Sequence, residues 1–313
     1  MTVSPANTPL GILGVGQMGL SAAACFSRAG FPVLVWARSA AKLGELPAKL
    51  DALHAFLDQH VGPASDARGL VETTGDLGRL GETALVLECI AEDVGQKAEL
   101  LAQLRPAAER GTVLASCTSG LCISEIGRAG GVGRWLVGAH FWNPAHLMPL
   151  VEVVQGDETD PAAVDFVCQV LERAGKAAVR CRDVPGFIGN RLMHALWREA
   201  LHLVQTGVCS PADVDQVVRL TFALRLPAVG PFENMDLVGL GLVDQIHSYL
   251  FADLSNAGQS LPIVREKVAA GEAGMRAGRG FYDWGARDAQ QLVAQRDEQI
   301  VRQLGFLRGI GRV

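Results

Sequence analysis

The sequence is poor in lysine. Lysines are five of its 28 basic side chains (Lys42, Lys49, Lys97, Lys176 and Lys267), and none lies between Lys176 and Lys267. Charge is sparse overall: 19% of 313 residues are charged, and 33 acids against 28 bases leave a net charge of −5. A nucleic-acid partner would call for a basic excess, which is missing. Low charge beside 49% hydrophobic residues also excludes a disordered chain. The seven cysteines are odd in number and form no CxxC, which argues against a disulfide framework and a zinc site. Reduced thiols in the cytoplasm fit best. The first 27 residues carry no charged side chain at all. No basic segment precedes the apolar stretch Leu10–Phe26, and Gly11, Gly14, Gly16 and Gly19 interrupt it, so it reads as neither a signal peptide nor a membrane span. The 36 glycines keep no fixed period, which excludes collagen.

A length of 313 residues suits two domains. Leu10–Val15 is a short apolar run followed at once by a glycine-rich turn, a small-residue helix and a second apolar run, Phe31–Trp36. That order is a βαβ unit. Residues 39–60 read as a helix, with Leu43, Leu46, Leu50, Leu53 and Leu57 at helical spacing. Further strands are expected at Ala84–Ile90, Thr112–Ser116, Trp135–His140, Leu150–Val154 and Ala177–Cys181, with helices at 93–109 and 161–174. Alternating strands and helices predict an open, mostly parallel sheet. Beyond Asp183–Gly186 the pattern is helical: Phe187–Gln205, a Ser210-capped helix with Asp213 at the capping-box position, Glu233–Leu254, Pro262–Ala270 and Ala286–Leu307. The fold class expected is therefore α/β: a Rossmann-type, doubly wound dinucleotide-binding domain over residues 1–184, then an all-helical domain over 185–313 for substrate and dimerisation.

Gly14-Val15-Gly16-Gln17-Met18-Gly19 matches GxGxxG in the strand–turn–helix context that gives the pattern its meaning. Gly14 permits the tight turn, Gly16 admits a pyrophosphate to the backbone, and Gly19 lets helix and strand pack closely. Free amides at the helix N-terminus then face the phosphates. The alternative is a glycine turn that binds nothing. NAD-binding units usually carry an acid at the end of the second strand, for the ribose 2′-hydroxyl. Here the chain reads Ala37-Arg38-Ser39. A 2′-phosphate needs a cation and donors and tolerates no carboxylate, so these residues favour NADP(H). The bland alternative makes Arg38 a solvated loop residue.

His140 ends one expected strand and Glu152 lies in the next, with Pro144 and Pro149 between them. If those strands lie together, the carboxylate can hold one imidazole nitrogen while the other takes a proton from an alcohol. From spacing alone, a histidine in a strand is more often a satisfied structural one. His140/His146 and His54/His60 lack partners at ligand spacing, so no metal site is expected. Gly239-Leu240-Gly241 has no third glycine or preceding strand and reads as packing.

GVGQMG, Glu88–Asp93 (ECIAED), Ser116–Gly120 (SCTSG), His140–Pro144 (HFWNP), Leu150–Val154, Asp183–Leu192 (DVPGFIGNRL), Gly230–Leu240 and Gly278–Trp284 occur in this order across nearly the whole chain. In them the chain resembles the 3-hydroxyacyl-CoA dehydrogenase family, which includes relatives acting on free hydroxy acids, the L-gulonate 3-dehydrogenases (lambda-crystallin relatives) and L-carnitine dehydrogenases. The resemblance implies an oxidoreductase that interconverts a 3-hydroxy acid, or its CoA thioester, and the 3-oxo form by hydride transfer to NAD(P), with NAD usual. It implies His140 as general acid/base, Glu152 as its orienting carboxylate, and Ser119 and Asn190 as donors to the substrate oxygen. Asn143 would line the nicotinamide region, and Glu92 and Lys97 would lie near the cofactor ribose. A homodimer through the C-terminal helices is implied as well.

Departures from the family pattern are informative. Cys117 and Gly120 stand where polar side chains are usual. The lysine-rich helical pair that acyl-CoA members carry after the second strand is shorter, and Arg68 is the only arginine between 39 and 76. CoA phosphates want cations, so a free hydroxy acid is favoured. The 6-phosphogluconate-type β-hydroxyacid dehydrogenases open similarly but use a lysine from the second domain's first long helix, which this chain lacks. A non-catalytic, crystallin-like nucleotide-binding protein is the remaining alternative, against which Ser119, His140, Glu152 and Asn190 all argue. No membrane partner is expected.

Overall fold

The computed structural model describes residues 3–64 and 67–312. The chain forms two compact units, 1–191 and 192–313. In the first, β1 (Leu10–Leu13), α1 (Gln17–Arg28), β2 (Val33–Trp36), α2 (Ala40–His60), β3 (Val71–Thr74), β4 (Leu85–Glu88), α3 (Val94–Gln103), α4 (Arg105–Ala108), β5 (Val113–Ser116), α5 (Ile123–Gly130), β6 (Leu136–Phe141), β7 (Leu150–Gln155), α6 (Pro161–Arg173) and β8 (Ala177–Arg182) succeed one another. The eight strands form one sheet in the order β3-β2-β1-β4-β5-β6-β7-β8. All neighbours are parallel except β6 and β7.

β1, β2 and β4 are buried along their whole length, because helices cover both faces of a parallel sheet and an all-apolar strand is then stable. Phe26 of α1 packs edge-on against Phe31 and Phe141 (centroids 6.1 and 6.2 Å), which fixes α1 over the sheet. The two edges are polar: β3 exposes Glu72 and Thr73, and β8 exposes Arg180 and Arg182, which discourages pairing with another chain.

The expected helix at 93–109 is broken at Leu104, where α4 begins with Pro106 in its first turn. α2 is a single helix of 21 residues.

The second unit is helical. α7 (Gly189–Gln205) runs across the unit boundary, followed by α8 (Pro211–Leu220), α9 (Phe222–Arg225), α10 (Pro231–Val238), α11 (Leu240–Leu250), α12 (Pro262–Ala269) and α13 (Ala289–Gly309). Ser210 and Asp213 form the expected capping box, each accepting from the other's backbone amide. The expected helix Glu233–Leu254 is instead two helices, divided at Gly239. That corrects the packing role read into Gly239 and Gly241. A Cβ at either would meet nothing within 4 Å, whereas Gly239 has φ +96°, a conformation only glycine adopts freely. No helix among the described residues is long and apolar enough to cross a membrane.

Candidate active site

The glycine turn between β1 and α1 has the shape a dinucleotide needs. Gly14 has φ +116°, and a Cβ there would lie 2.8 Å from the Cys89 carbonyl oxygen. A Cβ on Gly19 would lie 2.1 Å from the Gly14 carbonyl oxygen, so helix and turn close only with glycine. At Gly16 a Cβ would meet nothing within 4 Å, leaving the backbone open to a ligand. Gly16 caps α1 with no side-chain acceptor, so the first amides of the helix are unclaimed by a cap. Met18 packs its partly buried side chain against the core, which leaves its amide as the group facing the turn.

Ala37 is buried at the end of β2, beside the turn, since the Gly14 amide donates to the Trp36 carbonyl (2.9 Å). Arg38 is exposed and makes no hydrogen bond or ion pair with the described residues. Ser39 caps α2, its hydroxyl accepting from the Lys42 amide (3.3 Å). Arg38, Ser39, Lys42 and a helix N-terminus thus converge on one exposed corner.

β6 and β7 form the antiparallel pair in which His140 stands directly opposite Glu152. His140 Nδ1 is 2.7 Å from Glu152 Oε2, and both side chains are buried. The other carboxylate oxygen accepts from the Ile188 and Gly189 amides, each at 2.9 Å. Those amides are aimed by a tight turn in which Gly186 (φ 78°) and Phe187 (φ 49°) are both left-handed. A buried phenylalanine at positive φ is a strained position, held here because Phe187 and Trp142 pack beside the imidazole. Burial opposes ionisation of Glu152. The hydrogen bonds from His140, Gly189 and Ile188, with the nearby imidazole, outweigh it and hold the carboxyl below its ordinary value.

Ser119 lies in the loop after β5. Its amide donates to Glu92 Oε1 (2.7 Å), as does the Thr118 hydroxyl (2.7 Å). The Asn190 side-chain amide donates to the Ser119 carbonyl, which leaves Asn190 a second N–H and leaves the Ser119 hydroxyl with no bond to the described residues. Gln17 in the glycine turn donates to Asn143 Oδ1 (2.9 Å), so that the Asn143 amide N–H groups are free to face a ligand. Lys97 is 1% exposed, with its ammonium 2.8 Å from Glu88 and 3.4 Å from Glu92. It holds Glu92, and through it the Ser119 loop.

The structure therefore gathers Ser119, Glu92 and Asn190 into one network, His140 and Glu152 into another, and Gln17 and Asn143 into a third. Three contributors escaped the sequence reading. Glu88 is fully buried, accepting from Lys97, from Ser116 (2.5 Å) and from the Ile90 amide (2.7 Å). Its one signal was an acid closing an apolar strand nine residues before a lysine. The amides of Ile188 and Gly189 carried no signal, since backbone groups leave none in a side-chain pattern.

Residues 9–184 match the family description "3-hydroxyacyl-CoA dehydrogenase, NAD binding domain", and residues 186–284 match its "C-terminal domain". The chain belongs to the 3-hydroxyacyl-CoA dehydrogenase family. It is thus an oxidoreductase of that family, with a Rossmann-type first domain and a helical second region. Among its relatives is 5-formyl-3-hydroxy-2-methylpyridine 4-carboxylate 5-dehydrogenase of Mesorhizobium japonicum, 31% identical over 96% of this chain and 98% of the relative. A solved structure of a dehydrogenase described by that substrate, an NAD+-dependent dismutase, superposes with a TM-score of 0.90 at 31% identity, covering 96% of this chain and 98% of the other. L-carnitine dehydrogenase of Streptomyces griseus is 34% identical over 96% of this chain and 89% of its own. The (S)-3-hydroxybutyryl-CoA dehydrogenase of Ralstonia eutropha gives a TM-score of 0.72 at 25% identity, covering 88% of this chain and 98% of the other.

Proposed function

We propose that this family member oxidises the hydroxyl of a small free hydroxy acid, reversibly, with NADP+ as the preferred hydride acceptor. The observation that carries the reading is the His140–Glu152 pair with its second carboxylate oxygen clamped by two amides. Glu152 fixes Nδ1 as the protonated nitrogen, so Nε2 is left to accept the substrate's hydroxyl proton. A nicotinamide dinucleotide, when bound, would supply the redox chemistry as hydride acceptor. The Ser119 hydroxyl and the free N–H of Asn190 donate to the oxygen as it becomes a carbonyl, where they are worth more than in the alcohol. Glu92 fixes the Ser119 loop, and Asn143, oriented by Gln17, would line the nicotinamide region. The glycine turn 14–19, with Gln17 and Met18 at the start of α1, would hold the pyrophosphate; Ala37, Arg38 and Ser39 would take the ribose.

Three observations support a free acid over a CoA thioester. One helix, α2, fills the stretch where acyl-CoA members carry a pair. Its lysines are Lys42 and Lys49, and Lys49 is engaged by Glu45 (2.7 Å). The TM-score is also higher with the pyridine-carboxylate enzyme than with the hydroxybutyryl-CoA enzyme. The test is a matrix of rates: free 3-hydroxy acids and 3-hydroxyacyl-CoAs, each with NAD and NADP. Higher kcat/KM for free acids is expected; turnover of CoA thioesters alone would overturn the assignment.

We also propose a homodimer through the helical region. Between residues 192 and 312, Leu304 is the one buried side chain among those described. Phe232 (80%), Leu237 (75%) and Leu224 (69%) stand exposed, and a cavity of about 760 Å³ is lined by Trp197, Leu201, Val204 and Phe281. Apolar surface on this scale marks an interface. Sedimentation at micromolar concentration should show a dimer; a stable monomer there would refute it. Seven unpaired thiols suit a cytoplasmic enzyme.

A further inference from the structure

Cys89 and Cys117 follow directly on the neighbouring parallel strands β4 and β5, at the C-terminal ends of these central strands, where the Cys89 carbonyl lies against Gly14. The last strand pair in register is Glu88 with Ser116, so Cys89 and Cys117 are the next step along the same ladder. That ladder continues past the strand ends, because the Cys117 amide donates to the Glu88 carbonyl (2.8 Å). Neighbouring strands lie about 4.8 Å apart, inside the Cα separation of roughly 4.4–6.8 Å that a disulfide spans. Both residues are partly exposed, and each side chain is close enough to perturb the other's ionisation. None of the five other cysteines has a thiol partner among the described residues.

We propose that Cys89 and Cys117 form a redox-modification site, closing to a disulfide under peroxide and reopening under thiol reductants. Cys117 is the attacking partner. The neighbouring Cys89 side chain, then the Phe141 amide and the Lys97 charge, lower its pKa against burial and Glu88. Cys89 is raised well above the ordinary thiol range, first by the neighbouring Cys117 side chain and then by burial, so it keeps its proton. The Cys117 thiolate attacks hydrogen peroxide: an S–O bond forms, the O–O bond breaks and hydroxide leaves. The Cys89 sulfur then attacks the Cys117 sulfenic acid, displacing hydroxide as its own proton is lost. In sum, two thiols and one peroxide become one disulfide and two waters.

The bond has a mechanical consequence. An S–S bond is about 2.05 Å, so both sulfurs must move together from contact distance. The Cys89 carbonyl is the floor under Gly14, and Cys117 is joined through Thr118 to Ser119. Closure therefore drags the floor of the phosphate turn and the substrate-facing serine at once. This consequence rests on the functional reading above, whereas the cross-link is read by mass alone.

The test treats the full-length enzyme with hydrogen peroxide, alkylates it and digests it with trypsin without reduction. The expected product joins residues 80–97 to 111–128 and is lighter by two hydrogens, with fragment ions assigning the link to Cys117 rather than Cys122. Turnover should fall about 10²-fold, the cost of a misplacement near 1 Å at a reacting centre, and return with dithiothreitol. Cys89→Ala, which leaves the backbone carbonyl under Gly14 but removes the resolving thiol, should give no linked peptide and should keep its own untreated turnover at the peroxide dose that inactivates the wild type. Absence of the linked peptide, a link to Cys122, undiminished turnover of linked protein, or equal sensitivity of Cys89→Ala would each overturn the proposal.

Discussion

Replacing His140 by alanine should lower kcat by about 10²–10⁴-fold, the usual worth of a positioned acid/base. The affinity for dinucleotide should change little, since the glycine turn is untouched. Glu152→Gln is the sharper probe of the same unit. Glutamine keeps the volume but replaces one carboxylate oxygen with an amide donor. That donor must face either the Ile188 and Gly189 amides or the imidazole Nδ1, and both are donors in this arrangement. At least one hydrogen bond is therefore lost, two if the amide turns toward Ile188 and Gly189, and the negative charge with it. A loss in kcat close to that of His140→Ala is expected. The double variant should be little worse than either single one, because the two side chains act as one unit. Stopped-flow and steady-state rates check this, with circular dichroism to confirm folding. Full turnover by His140→Ala would remove the catalytic role altogether.

The pH dependence of stability follows from the same carboxylate. Its folded pKa is lowered, so its contribution is present above the ordinary glutamate value and is lost as pH falls through the folded one. Glu152 stays ionised through neutral pH.

How far the residues alone reach is plain from particular elements. β1, β2 and β4 were legible within a residue or two, because a strand buried on both faces must be a continuous apolar run. β3 was not: Val-Glu-Thr-Thr buries one residue, Thr74, and carries no apolar pattern. α5 was also missed, as its eight residues include two glycines and lie below the length at which periodicity speaks. The dyad was visible as two residue types at a plausible spacing. What the sequence could not supply was the register that sets them face to face. Lys97 shows the opposite limit. Its place near the cofactor was implied by resemblance, yet its ammonium is claimed by Glu88 and Glu92. A buried cation between two carboxylates costs desolvation and persists because each group is paired. That pairing fixes the Ser119 loop, a role that spacing does not announce.

The second large effect concerns the coenzyme. Arg38 is exposed and unpaired among the described residues, next to the N-terminus of α2 and the Ser39 hydroxyl that caps it. A 2′-phosphate there would gain charge-assisted bonds from the guanidinium, each worth about 1.5–3 kcal/mol. Arg38→Leu should therefore cut kcat/KM for NADP roughly 10- to 100-fold and leave NAD nearly unchanged. Ala37→Asp adds the reverse preference: a carboxylate accepts from a ribose 2′-hydroxyl and repels a phosphate. At 4 Å, like charges near a surface repel by about 4 kcal/mol before salt screening. The double variant Ala37→Asp/Arg38→Leu should invert the coenzyme preference, and raising the ionic strength should narrow the difference. Ala37 is buried and its amide donates to the Thr74 carbonyl, so a new carboxylate there carries a cost of burial; a thermal melt of the variant separates that cost from loss of binding. Wild-type enzyme turning over NAD as well as NADP would overturn this assignment while leaving the dyad intact, since the two predictions rest on opposite ends of the cofactor.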